Sequence, residues 1–193
     1  MERLVQLQAL IASDARRMHV LRLVRALALP DCWVAAGFVR SRVWDHIHQH
    51  AESPLPADID VIWFDPERPA VEDDAELERM LRTCDASLGW SVKNQARMHL
   101  RNGDRPYRSA KDAMRYWPET ATAVAVRLDA QGHIEVAAPF GLDDLFELVV
   151  RPTARFLSMK HGVYLDRIHA KQWQVRWPRL TMLAPYLGRQ ADL

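Results

Sequence analysis

Asp58-Ile59-Asp60-Val61-Ile62-Trp63-Phe64-Asp65 is the stretch whose reading decides the fold. Two carboxylates two residues apart lead straight into a bulky apolar run. Along an extended chain successive side chains alternate, so Ile59, Val61 and Trp63 point one way while Asp58, Asp60, Ile62 and Phe64 point the other. The acids would then stand roughly 6–7 Å apart where the chain enters a sheet. Like charges that close repel unless a cation bridges them, and Mg²⁺ takes carboxylate oxygens. A strand-borne Asp-x-Asp is therefore a candidate Mg²⁺ clamp. Acids also flank strands merely to keep turns solvated, so the pair needs support from its neighbours.

Upstream, residues 2–12 and 14–29 carry helical periodicity, with Ser13-Asp14 a helix-start signal between them. Cys32–Ala36 is short and apolar, as a buried strand would be, and Gly37 ends it. Phe38–His48 resumes helical spacing. A glycine between strand and helix lets a ligand's phosphates approach the main chain. Free N–H groups and the helix dipole there favour negative charge. Arg40, in the first turn, has the forked donor that suits phosphate. A tight turn beside a surface arginine would look the same. His46, His48 and His50 invite a metal reading, but they fall near a helix end, where histidine is favourable through the dipole.

The whole chain sets the bounds. Its 193 residues suit one domain, and nearly half are apolar or aromatic, which excludes a largely disordered chain. With 26 basic and 25 acidic residues there is no global field for nucleic acid or a membrane surface. Cys32 and Cys84 read as buried thiols of a reducing, cytoplasmic compartment, and no apolar run reaches the ~20 residues of a membrane span.

Downstream, Pro66 and Pro69 mark a loop, and Asp73 and Asp74 cap a helix expected over Ala75–Cys84. Trp90–Asn94 alternates as a strand does, which places Lys93 and Arg97 in or beside the sheet as candidates to meet phosphate. Ser109 caps a short helix through Tyr116. Residues 120–128 and 133–138 flank Asp129–Gly132 as a hairpin, and Asp143–Val150 reads as a helical turn. The tail, 156–193, mixes Trp173 and Trp177 with Lys160, Arg167, Lys171 and Arg176. That mixture suits helices covering the core edge, or stacking against RNA.

With these pieces placed, the chain resembles the nucleotidyltransferase superfamily of DNA polymerase beta and the tRNA CCA-adding enzymes. It is most similar to bacterial nucleotidyltransferase-like proteins of about this length. Ala36-Gly37-Phe38-Val39-Arg40 is similar to the Gly-Gly-x-Val-Arg of CCA-adding enzymes, and Asp58-Ile59-Asp60 to their catalytic Asp-x-Asp. Ala138–Leu145 resembles the element that follows their hairpin. The sequence departs from the pattern in Ala36, which stands for the first glycine.

The resemblance implies an α/β (α+β) fold: a small mixed sheet, helices packed mainly on one face, and a C-terminal helical segment. Residues 1–155 would form the nucleotidyltransferase-like domain, with 156–193 a helical segment of the same domain. It implies transfer of a nucleoside monophosphate from an NTP, with Mg²⁺ (or Mn²⁺), to an acceptor that is a small molecule, a protein or an RNA. Asp58 and Asp60 would hold the metal, and Gly37, Phe38, Arg40 and Lys93 the nucleotide. A third carboxylate is less evident. Glu119, at a strand entrance, is the first choice; Glu135 is the second, with Asp143 or Asp144 after it. The alternative is a binding module that keeps the pocket without the chemistry.

Overall fold

A computed structural model describes residues 1–183; the last ten residues of the expected C-terminal segment, 184–193, lie outside the described residues. Five strands form a mixed sheet: β1 (Trp33–Ala35), β2 (Ile59–Trp63), β3 (Trp90–Asn94), β4 (Ala125–Leu128) and β5 (Ile134–Ala137). Their spatial order is β3-β2-β1-β4-β5. β2 and β3 run parallel, and the other neighbours are antiparallel.

The alternation in β2 is the one its sequence demands. Ile59, Val61 and Trp63 join Val34, Val92 and Val126 in the main core, which helices cover. Those helices are α1 (Glu2–Ala12), α2 (Ala15–Ala26), α3 (Gly37–Ile47) and α4 (Val71–Cys84). Leu7, Leu21, Phe38, Trp44 and Leu81 are their buried anchors. Ile62, two residues from Asp60, belongs instead to a smaller cluster on the opposite face with Trp33, Ala35, Ala110 and Met114. α6 (Ala110–Met114) packs on that face through Ala110 and Met114, and α5 (Gln95–Asn102) follows β3 directly.

Local signals explain most boundaries. Asp14 accepts a hydrogen bond from the Arg17 amide, and Ser109 from that of Asp112, as side-chain caps should. Gly103, left-handed at φ +62°, ends α5. Cys84 is exposed rather than buried, and further expectations need correction. α4 begins at Val71, four residues before the expected start, and Asp74 is buried within it, accepting from Trp63 Nε1 and the Asn94 amide. Arg97 lies on α5 rather than in the sheet and pairs with Asp74. The stretch expected as one helical turn from Asp143 is α7 (Asp143–Phe146) followed by β6 (Val149–Val150), which pairs with β7 (Thr181–Met182).

The C-terminal segment comprises α8 (Ala154–Leu157), α9 (His161–Lys171) and α10 (Trp173–Arg176). Tyr164, Trp173 and Trp177 are buried in the main core, with Trp173 and Trp177 edge-on to Trp44. Asp45 ties the segment down, accepting from Trp177 Nε1 at 2.8 Å and from Arg176, together with His50 and Ser53. His48 likewise serves structure: one ring nitrogen lies against the Trp44 carbonyl and the other accepts from the Arg179 amide. No helix among the described residues is long and apolar enough to cross a membrane.

Candidate functional site

β1 ends where α3 begins, and the joint is Ala36. Its φ of +53° with ψ −118° is a conformation natural to glycine and costly for alanine, about 1–3 kcal/mol. The Gly37 and Phe38 amides stand in the first turn of the helix, where an N–H has no intrahelical acceptor. Phe38 is fully buried, so its side chain packs in the core rather than toward a ligand. Arg17, also buried, braces the turn from behind by donating to the Phe38, Ser53 and Pro54 carbonyls.

Antiparallel pairing sets Asp60 opposite Ala35, two residues before Gly37. Asp58 precedes β2 with the same strand parity and is exposed, whereas Asp60 is half-buried. A methyl group added at Gly37 would lie 3.5 Å from Pro56, so the approach to Asp58 runs beside the bend. Gly89 makes another close approach. Its amide oxygen accepts from Ile59, and a Cβ there would fall 2.1 Å from the Ala57 carbonyl oxygen and 3.7 Å from Asp58 Oδ1. Gly89 was not legible as a site residue; its only signal was a lone glycine just before a strand.

Electrostatics distinguish Asp60. Burial pushes its carboxyl above the ordinary range, and the neighbouring charge of Asp58 adds to this, against the pull of Arg40, Lys171 and Arg167. Arg40 is nine-tenths buried, stacked 4.7 Å from the Trp173 ring centre and 5.1 Å from that of Trp44. Its Nε has no hydrogen-bond partner among the described residues, and its Nη2 would lie 3.4 Å from a Cβ on Gly37. Burial lowers its pKa to about 10, which leaves it charged at neutral pH. An unpartnered guanidinium under a helix N-terminus is a donor set without its acceptor.

Beside Asp60 a cleft of about 280 Å³ opens between Ala36, Lys93, Gln95, Trp117 and Arg167. Lys93 reaches its rim but is tied to Glu78 at 2.9 Å. Glu119 is fully buried, with Oε2 accepting from Thr122 and Oε1 from Arg167. Glu135 pairs with Arg127, Asp143 with Arg3, and Asp144 with Arg151. Among the described residues no group of three His, Cys, Asp or Glu is placed to hold a metal. The Asp58–Asp60 pair still suits a small hard cation, which is commonly bound by one or two carboxylates with substrate phosphates and water completing the shell. Arg167 and Trp173 were read only as part of a basic-aromatic tail; their approach to Asp60 depends on the fold.

Comparison with known proteins follows from this geometry. A family model described as "Nucleotidyltransferase" matches residues 22–182. An NMR structure described as revealing a CCA-adding enzyme head domain is 35% identical, with a TM-score of 0.81 over 92% of this chain and 94% of that one. The Thermotoga maritima CCA-adding enzyme complexed with tRNA is 15% identical, with a TM-score of 0.59 over 91% of this chain but 42% of its own. For the Bacillus stearothermophilus CCA-adding enzyme in complex with CTP the values are 14%, 0.50, 87% and 40%. The last two show likeness of fold alone, and the chain spans well under half of their length. No curated protein matches the chain.

Proposed function

The chain belongs to this nucleotidyltransferase family, and from that premise we propose that it transfers a nucleoside monophosphate from an NTP to an acceptor hydroxyl, releasing pyrophosphate. One observation carries the reading: Asp60 stands beside the Gly37 bend, close to Asp58 and the unpartnered Arg40. Two acids beside a helix N-terminus and a buried arginine suit a substrate that brings both anion and cation.

In this reading Asp58 and Asp60 hold Mg²⁺ or Mn²⁺. When bound, such an ion neutralises charge on the phosphates and activates the attacking oxygen. The Gly37 and Phe38 amides and Arg40 bind the polyphosphate, and the cleft beside Asp60 receives the nucleoside or the acceptor. The acceptor oxygen forms a bond to the α-phosphorus while the bond from that phosphorus to the bridging oxygen breaks. Pyrophosphate departs and the acceptor's proton passes to solvent. Lys93, held by Glu78, shapes the rim of the cleft and keeps one charge near the phosphates.

Pyrophosphate release with Mg²⁺ and each NTP, across small-molecule, protein and RNA acceptors, tests the assignment. Asp58→Asn with Asp60→Asn is expected to abolish it while the fold persists; turnover equal to wild type removes the assignment. The second reading, a nucleotide-binding module without chemistry, is favoured by the absence of a third acid beside the pair among the described residues. Metal-dependent NTP binding with no release for any acceptor would select it.

A further inference from the structure

Buried Glu119 pairs with the half-buried Arg167 at the cleft beside Asp60, and neither is accounted for by a two-acid metal site. Both oxygens of Glu119 are engaged, one by Thr122 at 2.8 Å and one by Arg167 Nε at 2.7 Å. That leaves the carboxylate oriented toward an arginine rather than toward Asp58 and Asp60. Arg167 is gripped at one nitrogen only. Its guanidinium carbon lies 5.7 Å from the Trp173 ring centre, and its side chain lines the cleft that contains Asp60. The terminal nitrogens make no hydrogen bond with any described residue, so the fork is oriented from behind and open in front.

Arg40 shares the same tryptophan, at 4.7 Å. Two guanidinium groups gathered on one indole repel each other, and Glu119 and Asp60 supply the compensating charge. Lys171, one turn beyond Arg167 on α9, adds a third cation to the surroundings of Asp60. A cation held by Asp58 and Asp60 would take up their charge, and the three side-chain cations would then favour an anion of more than one charge between them. Polyphosphate is the anion that guanidinium forks match best, through paired N–H donors to phosphate oxygens.

Resting on the transferase reading above, we propose that Arg167 binds the NTP polyphosphate opposite Arg40, and that Glu119 is the positioning residue that holds it there. Trp173 is the platform that spaces the two arginines. The phosphate clamp is thereby built from both ends of the described chain: the α3 N-terminus supplies one half and the C-terminal segment the other. Glu119, the first choice for a third metal ligand on sequence grounds, acts through Arg167 instead.

Calorimetry with inorganic tripolyphosphate and with a non-hydrolysable ATP analogue, each with Mg²⁺, separates these roles. Arg167→Met is expected to weaken both ligands about 10–100-fold, the range for losing hydrogen bonds to a charged group. Glu119→Gln, which keeps the shape but loosens the arginine, should weaken them about 3–10-fold. The double variant Glu119→Gln/Arg167→Met should bind no more weakly than Arg167→Met alone, since both act through one fork. Mn²⁺ titration should give the same midpoint for wild type and Glu119→Gln. Arg167→Lys retains charge without the fork and is expected to fall between wild type and Arg167→Met. Three results overturn the proposal: wild-type affinity in Arg167→Met, additive losses in the double variant, or a Mn²⁺ midpoint that moves in Glu119→Gln. A lowered melting temperature with unchanged affinity would also overturn it, because that is the mark of a purely structural pair. Tripolyphosphate binding that depends on Arg167, without pyrophosphate release for any acceptor, would leave the clamp standing and remove the transfer reaction.

Discussion

Asp45 and Asp74 on the one hand, and Asp58 and Asp60 on the other, are the same residue in opposite circumstances. Asp45 takes hydrogen bonds from His50, Ser53, Arg176 and Trp177, and Asp74 from Trp63, Asn94 and Arg97. Every donor belongs to the protein, and each carboxylate joins elements distant in sequence. Asp58 and Asp60 take no such bond from a described residue; Asp60 feels the charges of Asp58, Arg40, Lys171 and Arg167. A buried charge needs a partner. Where the chain provides one, the acid holds the fold; where it does not, the acid awaits something that arrives from outside.

The contrast can be broken most forcefully at Asp74. Asp74→Ala leaves Arg97, the Trp63 indole and the Asn94 amide unpaired, and should cost about 3–5 kcal/mol in urea unfolding. A loss as small as that of a surface substitution would erase the distinction. Gly89→Ala comes next. Its Cβ has no room against the Ala57 carbonyl, so the strand entry must shift, at about 1–3 kcal/mol. Because that shift moves Asp58, the fall in pyrophosphate release should exceed what the unfolded fraction explains.

Acidity probes the same division. Burial alone would raise the Asp45 pKa, but the hydrogen bonds from His50, Ser53, Trp177 and Arg176 outweigh it and hold the carboxyl below its ordinary value. The stabilisation is therefore present above the unfolded-chain value of about 3.9 and is lost as pH falls through the depressed native pKa. Urea midpoints across the acidic range should show that decline in wild type and a shallower one in Asp45→Asn. The smallest effect is expected from Asp58→Asn with Asp60→Asn. Relieving two unpartnered like charges should change stability by less than about 0.5 kcal/mol, in the stabilising direction. A clear loss of stability would class them with Asp45 and Asp74.

The sequence made some of this legible and concealed the rest for a physical reason. The parity of Ile59, Val61 and Trp63 against Asp60 and Ile62 is a property of one strand, and it survives folding unchanged. The break at Ala36-Gly37 is equally local, and the positive φ at Ala36 falls where the motif that the segment resembles has its first glycine. Asp74 misled because an acid near a helix start looks like a cap whether it faces water or, as here, the Trp63 indole. Lys93 could be placed on its strand, but its tie to Glu78 required knowing which helix covers that edge. Arg167 and Trp173 gave no local sign of their place, since only tertiary packing brings α9 and α10 to Asp60.

That late arrival has a consequence for biosynthesis. The two aspartates leave the ribosome about a hundred residues ahead of Arg167 and Trp173. A nascent chain would expose its acids well before α9 and α10 emerge, so under the proposed clamp loading with nucleotide should await their synthesis, and termination before α9 should leave a product unable to retain it.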